Sequence, residues 1–409
     1  MKQISFILLL VGIFQIGFLT GTRADVLDNW TTNQISTNTF GLHHVVYGNG
    51  GYVAVGEYDE GCGIYTSSDG LNWTLCYSDN NGWGLTLTYS GGRFVGVGGW
   101  ETAVSTNGTN WAVSLLPVQY AYNGEGGLPS DMTYGNGVYV EVGSLNGVGS
   151  IITSPDGSTW TPRTSSPALG GPIASVTYGL LRFVAVENND GYEYTSTLPS
   201  LGTTWTRRSI PGGNKISYAN GLFIVPLNNK TNLISVDGIN WSLNYTGLTN
   251  MLGVVTYGNG LFMAQCGISY SGSYLATSTD GTNWIQYARP LPNSWTSSFD
   301  FPDPDVSLAT DGTRLVTVGA VNTNAVSYNG FVFTSDVLVG VRMTNNPSLQ
   351  VALSGLVGRN YQIQSVDALT TGSSNWRTNA TLQLTNTPYV GTDATAPNSA
   401  RFYRGVLLP

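Results

Sequence analysis

Cysteine and histidine are nearly absent. Cys62, Cys76 and Cys266, with the adjacent His43 and His44, are all that 409 residues contain. So few cysteines exclude a disulfide-framed scaffold. They also exclude a zinc site of the usual Cys/His type. His43 and His44 precede a turn in an extended stretch, where neighbouring side chains point to opposite faces, so they do not line one metal site. Charge is scarce too. Charged residues make up 10% of the chain, with 16 basic against 24 acidic residues and a net charge of -8. Nucleic acid requires a basic footprint, which is missing here, and anionic membrane surfaces are disfavoured for the same reason. The chain is nevertheless not of the disordered class, because 41% of it is hydrophobic and 11% aromatic. After the first two dozen residues no run is apolar enough to cross a bilayer.

That first stretch reads as a secretory signal peptide over residues 1–24. Lys2 supplies the charged start, Ile4 to Leu19 is mostly apolar, and Thr22-Arg23-Ala24 places small residues where processing occurs. No lipobox cysteine is present. The expected location is secreted, periplasmic or cell envelope, with no transmembrane segment after processing. Removing Lys2 and Arg23 takes the formal charge from -8 to -10. Oxidising conditions would allow Cys62 and Cys76, which flank a turn centred near Leu71, to form a disulfide across adjacent strands. Cys266 is then left as a free buried thiol.

Glycine is abundant, and two recurring phrases account for much of it. One runs Ser67-Ser68-Asp69-Gly70-Leu71-Asn72-Trp73 and returns from Ser105 to Trp111, Ser154 to Trp160, Ser235 to Trp241 and Ser278 to Trp284. A stretched copy from Ser196 to Trp205 has lost its Asp-Gly pair. The other phrase is Tyr47-Gly48-Asn49-Gly50, repeated at Tyr89, Tyr134, Tyr178, Tyr218 and Tyr257, with a weaker copy at Ala309-Thr310-Asp311-Gly312. Successive copies start 42, 45, 44, 40, 39 and 52 residues apart. A period in the forties holding several short strands predicts a propeller or a solenoid. Each period reads as four strands joined by tight turns, which is one propeller blade. Asn-Gly and Asp-Gly supply the positive φ angles of tight hairpins. The Ser and Asp side chains accept backbone N–H bonds within the turn. The Trp brings a large apolar plate to the gap between blades. Asp69, Trp73, Asn107, Trp111, Asp156, Trp160, Asp237, Trp241, Asp280 and Trp284 are therefore structural.

Seven Tyr-Gly-like turns predict an all-β, seven-bladed propeller over residues 25–336. Asp28-Asn29-Trp30 looks like the end of a blade that nothing before it begins. The last period, up to Asp336, lacks its Trp strand. Residues 29–34 are thus expected to return as the fourth strand of the last blade and close the ring, leaving no open edge. Residues 337–409 form a separate small β module of sandwich type. Alternation in Leu349–Leu353, Tyr361–Ser365 and Thr381–Thr385 marks its strands.

The first phrase resembles the Asp-box, or bacterial neuraminidase repeat, of sialidases and related propellers. The family pattern is Ser-x-Asp-x-Gly-x-Thr-Trp, and the copies here are one residue shorter between Asp and Trp. The resemblance covers about residues 30 to 336 and implies fold elements on the face away from an active site. It is weak on activity. Sialidases bind the sugar carboxylate with three arginines. Here Arg93, Arg182 and Arg314 share the position before a second strand but do not match that cluster. The family's Arg-Ile-Pro motif is replaced only by Arg208-Ser209-Ile210-Pro211, in a different blade. The end of the chain, with Tyr361-Gln362-Ile363-Gln364, Trp376 and Arg401-Phe402-Tyr403-Arg404, resembles a C-terminal module common in exported proteins of Verrucomicrobia and related bacteria. No enzymatic role attaches to that module.

The loops opposite the tight turns carry the candidate site. Trp83, Trp100, Tyr120, Tyr122, Tyr192 and Trp295 are the expected ligand-binding aromatics, because flat rings stack on sugar faces. Glu57, Asp59, Glu101, Glu125, Asp300 and Asp303 are the catalytic candidates if the protein is a hydrolase, with Glu187 and Asp190 also on this face. Two carboxylates about 5–5.5 Å apart would suit a retaining glycosidase, and about 6.5–9.5 Å an inverting one. Asp300, Asp303 and Asp305 offer closely spaced oxygens of the kind calcium takes, without the glycine and terminal Glu of an EF-hand. No other cofactor is expected. Three readings follow: a non-catalytic propeller that binds a glycan or an extracellular protein, a glycoside hydrolase acting on a non-sialic substrate, and a structural envelope protein. The first is preferred, with a monomer as the expected state.

Overall fold

The computed structural model describes residues 8–9, 14–16, 30–35, 41–58, 61–79, 86–98, 101–116, 129–163, 168–188, 191–197, 202–227, 230–248, 252–258, 261–266, 274–290, 307–310, 314–324, 327–335, 340–345, 349–354, 360–366, 377–384, 389–393 and 402–407. The described elements are all strands, arranged in four-stranded sheets. Two units are seen: residues 32–311 with 316–334, and residues 1–31 with 312–315 and 335–409.

The larger unit is a β-propeller. Six blades are built from strands consecutive in sequence. Blade 1 is Gly41–Gly48, Gly51–Tyr58, Gly61–Ser67 and Thr74–Asp79; blade 2 is Thr86–Ser90, Arg93–Val97, Glu101–Ser105 and Ala112–Leu115. Blade 3 is Pro129–Gly135, Val138–Leu145, Val148–Ser154 and Thr161–Pro162; blade 4 is Ile173–Gly179, Arg182–Glu187, Tyr192–Thr197 and Thr206–Ser209. Blade 5 is Ser217–Ala219, Leu222–Pro226, Thr231–Ser235 and Ser242–Tyr245; blade 6 is Leu252–Gly258, Leu261–Cys266, Tyr274–Ser278 and Trp284–Pro290. Contiguous blades thus number six where the turn count gives seven. The remaining repeat contributes only three strands, Leu308–Thr310, Leu315–Asn324 and Ser327–Ser335. Trp30–Gln34 lies in the same composite sheet as their outermost strand.

Both recurring phrases are explained by packing. In the Tyr-Gly-Asn-Gly turns, Asn49, Asn136 and Asn220 take φ near 48° and the glycines after them φ near 80°. A two-residue hairpin of matching twist demands this pair of left-handed residues. The first glycine of the phrase has a different task. A Cβ on Gly48 would stand 2.1 Å from the ring of Tyr89, and one on Gly135 would stand 2.1 Å from the ring of Tyr178. Each Tyr therefore lies on the glycine of the blade before it, and the dipeptide repeats because the two halves serve adjacent blades. Apolar clusters fill the seams in the same order. Val53, Val55 and Ile64 of blade 1 meet Leu87, Phe94 and Trp111 of blade 2. Val95 and Val97 then meet Met132, Tyr139 and Trp160. Leu42, Val45 and Trp73 of blade 1 pack with Ala309, Val316 and Val318 of the composite sheet.

The smaller unit contains two further four-stranded sheets. One joins Gly340–Asn345, Leu349–Ser354 and Tyr389–Asp393 with Phe14–Ile16; the other joins Asn360–Val366, Arg377–Gln383 and Phe402–Leu407 with Leu8–Leu9. Leu353, Tyr361, Ile363 and Leu384 are buried in it. The two N-terminal strands come from the expected signal peptide. Leu8–Leu9 pairs antiparallel with Phe402–Leu407, and Phe14–Ile16 with Tyr389–Asp393.

The expected Cys62–Cys76 disulfide is corrected: neither cysteine is bridged. Cys62 pairs with Asp79, while Ile64 pairs with Tyr77 and Tyr65 with Leu75. Cys76 is the extra residue of a β-bulge, and the bulge shifts the register away from Cys62. Symmetry about the turn does not foretell that shift.

Candidate functional site

The repeated Trp turn is a closed hydrogen-bond unit. In blade 1, Ser67 Oγ accepts the N–H of Gly70 (2.9 Å) and donates to Asp69 Oδ1 (3.0 Å). Asp69 Oδ1 then accepts the N–H groups of Leu71 and Asn72, both at 2.8 Å. The Trp73 indole donates back to the Gly70 carbonyl (3.0 Å). Asp156 and Asp280 repeat the pattern. Asn107 keeps the two backbone bonds with a neutral amide oxygen. Burial opposes ionisation of Asp156, but the N–H groups of Thr159 and Ser158 outweigh it and hold the carboxyl at about 2. The stretched copy of blade 4 retains more of the phrase than its spacing suggests. Gly202 takes φ 77°, its N–H reaches Ser196 Oγ (2.8 Å), and Trp205 donates to its carbonyl (3.2 Å). Only the aspartate is lost.

The Tyr-Gly and Trp turns lie at one end of the blades, where Asn49 Nδ2 donates to Thr106 O (3.1 Å). The sequence-expected arginines stand at the entries to second strands, on this side. Arg93 there donates to Asp156 O (3.1 Å), binding one blade's turn to the next. The connections between second and third strands, and those between blades, occupy the other end. Asp59, Trp83, Trp100, Tyr120, Tyr122, Glu125, Asp190, Trp295, Asp300, Asp303 and Asp305 lie outside the described residues. Glu57 is described as strand backbone near the end of its strand. Glu101 opens the third strand of blade 2 and is 7% exposed. Among the described residues no group of three His, Cys, Asp or Glu side chains could hold a metal ion.

Glu187 and Tyr192 come together on the loop end of blade 4. The buried Glu187 carboxylate accepts the Tyr194 hydroxyl and pairs with Arg207 Nη2 at 3.0 Å. The Tyr194 oxygen in turn accepts the N–H of Gly170 (2.9 Å). The Arg207 guanidinium lies 3.6 Å from the centre of the Tyr192 ring, within cation–π range. A Cβ on Gly170 would stand 2.5 Å from Arg207 Nη2 and 2.8 Å from Glu187 Oε1, so glycine is what admits the pair. Burial, followed by the bond to Glu187, pushes the Tyr194 hydroxyl up to about 12. A neutral phenol with both hydrogen-bonding functions engaged and no exposed surface is a poor nucleophile. The cluster is instead a rigid support that fixes the Tyr192 ring at the loop end, with one ring face taken by Arg207. Sequence reading found Glu187 and Tyr192 and missed Arg207. Register alone places Arg207 opposite Tyr194.

Glu141 is fully buried, and neither carboxylate oxygen has a hydrogen bond of sound geometry. Burial and the Asp131 charge raise it well above the usual carboxylate range, only partly offset by the nearby Ser130 N–H. Its counterparts, two residues after the aromatic of the second strand, are Ala54, Gly96, Ala185, Val225 and Ala264. Asp131 itself accepts Ser175 Oγ (2.5 Å) and the N–H of Val176 (3.0 Å), bridging blades 3 and 4.

No protein-family model matches the sequence, and a search of curated proteins finds no match. Solved structures of similar fold include YCF48 bound to D1 peptide, at 16% identity and a TM-score of 0.52, covering 78% of this chain and 98% of that one. Another is a catalytically inactive virginiamycin B lyase from Staphylococcus aureus with quinupristin, at 14% identity and a TM-score of 0.53, covering 75% and 99%. YCF48 from Cyanidioschyzon merolae gives 15% identity and a TM-score of 0.51, covering 75% and 98%. Identities this low establish the propeller fold alone.

Proposed function

We propose that the protein is exported and binds a glycan or an extended segment of an extracellular protein on the loop end of its propeller, without turning it over. The observation that carries the reading is the Glu187–Tyr194–Arg207 cluster, which immobilises the Tyr192 ring beside the inter-blade connections. A fixed aromatic plate on a rigid sheet loses little entropy when a sugar or peptide stacks on it. Four of the glutamates favour binding over hydrolysis. Glu101, Glu141, Glu187 and Glu193 are all buried, and a general acid or base must reach its substrate. Trp83, Trp100, Tyr120, Tyr122 and Trp295 extend the same surface in this reading. The composite sheet serves as the seventh blade and closes the ring. Its first strand touches the first strands of blades 6 and 1, and Ser307 Oγ donates to Val45 O (2.8 Å).

The test is a glycan array, with a parallel array of extended peptides, probed with the mature protein and followed by a reducing-sugar release assay on every glycan bound. The expected outcome is binding without release, weakened at least tenfold by Tyr192→Ala and by Trp100→Ala. Release abolished by Glu101→Gln or Asp300→Asn would establish the hydrolase instead. Absence of any ligand in both arrays would leave the structural envelope role.

A further inference from the structure

Five described Trp turns return the indole to their own glycine. Trp73, Trp111, Trp160, Trp205 and Trp284 donate Nε1–H to the carbonyls of Gly70, Gly108, Gly157, Gly202 and Gly281 at 3.0–3.2 Å. Trp241 departs from this pattern. Its Nε1–H crosses the seam to Glu193 Oε2 of blade 4, at 2.6 Å. Glu193 lies three residues before the Ser of its Trp turn. Ile64, Thr102, Ile151, Asn232 and Leu275 hold that position in the other blades. Each is uncharged, as a site buried under the next blade requires.

Glu193 has no exposed surface, and its Oε1 has no hydrogen-bond partner. Around it the seam is apolar, with Val184, Val186, Phe223, Val225 and Leu233. The charged and titratable groups facing it come from several elements. Arg182 is on the second strand of blade 4, and Arg208 is on the fourth, where it donates to Thr195 Oγ1. Asp237 stands in the Trp turn of blade 5, and Tyr218, from that blade's first strand, packs on the apolar cluster of the same seam.

We propose that the seam between blades 4 and 5 is a proton-controlled junction, closed on a neutral Glu193 and loosened to admit water when Glu193 ionises. The neutral acid fits the site. One oxygen accepts the Trp241 indole, and the other leaves only a hydroxyl short of a partner, a modest cost. The anion has one direct donor, the Trp241 indole, and only the unbonded attraction of Arg182 and Arg208 beside it, so water entering beside Trp241 supplies the missing hydrogen bonds. Burial dominates over the Trp241 bond and the two arginines, and pushes the carboxyl up to about 7. A folded value raised above 4.5 means that the stabilisation is complete below pH 4.5 and is lost as pH rises through 7. The closed form thus belongs to acid conditions and the loosened form to mildly alkaline ones.

The experiment follows amide hydrogen exchange in residues 191–197 and 235–245 of the mature protein from pH 5.5 to 8.5, corrected for intrinsic exchange. Acrylamide quenching of the wild type is compared with that of Trp241→Phe to isolate the one indole. Exchange in both segments, and quenching of Trp241, should rise several-fold about a midpoint near pH 7. Glu193→Gln should hold both flat across the range. Glu193→Thr, which installs the residue blade 2 uses, provides a second flat control should the glutamine variant fold poorly. Glu141 is present in every variant, so its own titration cancels. A wild-type seam that does not respond to pH, or a transition that persists in Glu193→Gln and Glu193→Thr, would overturn the proposal.

Discussion

Blades 2 and 4 meet their neighbours at the same position with different chemistry. In blade 2, Thr102 is buried and its hydroxyl lies 3.1 Å from the Gly96 carbonyl and 2.6 Å from the Gly157 carbonyl of the next blade. Trp160 donates to that same Gly157 carbonyl, so strand, turn and indole converge on one oxygen. In blade 4, Glu193 takes the indole itself. The Thr102 contact keeps one state at any ordinary pH, because a hydroxyl does not titrate there. The second is linked to the proton concentration of its compartment. One side chain therefore decides whether the contact at this position is fixed or switchable, while the surrounding fold stays the same.

The comparison can be broken most severely at the indole. Trp160 is 3% exposed, and Trp160→Ala should cost about 3–5 kcal/mol in urea unfolding. A loss below 1 kcal/mol would show that the Trp plates do not hold the seams. Next in size is Thr102→Val, which preserves shape and removes the hydroxyl. It should cost about 1–2 kcal/mol, the worth of a buried hydrogen bond with its partner left exposed to the loss. Unchanged stability would mean that the Trp160 bond alone satisfies Gly157. The reciprocal change, Glu193→Thr, sharpens the contrast. Its thermal midpoint should exceed that of the wild type at pH 8 and approach it at pH 5, giving blade 4 the pH-insensitivity of blade 2. The smallest effect is expected in the turns. Asp156→Asn copies the native Asn107 turn and should cost less than about 1 kcal/mol at pH 7. Because Asp156 is lowered to about 2, its contribution is present above pH 4 and lost as the pH falls toward 2. The variant should therefore lose less stability than the wild type on acidification through that window, a difference that denaturation at pH 6 and pH 3 would detect.

Much of this architecture was legible in the chain. The Ser-x-Asp-Gly-x-x-Trp phrase determines its own turn, because the bonds that its Ser and Asp side chains make to the backbone run within seven residues. The four-strand period followed from the alternation of two turn types. An unpaired Trp30 anticipated a strand that joins a distant sheet. The candidate site was legible only in composition. Tyr192 and Glu187 sit five residues apart and were both noticed, yet Arg207, which joins them, is twenty residues from Glu187 and was invisible until strands 182–187, 192–197 and 206–209 were paired. Cys76 failed for the same reason in reverse, since a single bulged residue cancelled an apparent symmetry about the turn.

Sequence alone determined what is local: turns, strand period, the aromatic that each repeat presents, and the scarcity of charge and cysteine. Short-range hydrogen bonds and φ preferences act within a few residues and leave a readable pattern. Tertiary structure alone decided which blade each aromatic meets and that one glutamate replaces a glycine carbonyl as the partner of an indole. Those outcomes depend on burial and on distances between residues about forty positions apart. A carboxylate in a dry seam and one in a wet loop are written with the same letter, and only the packed fold makes them chemically different.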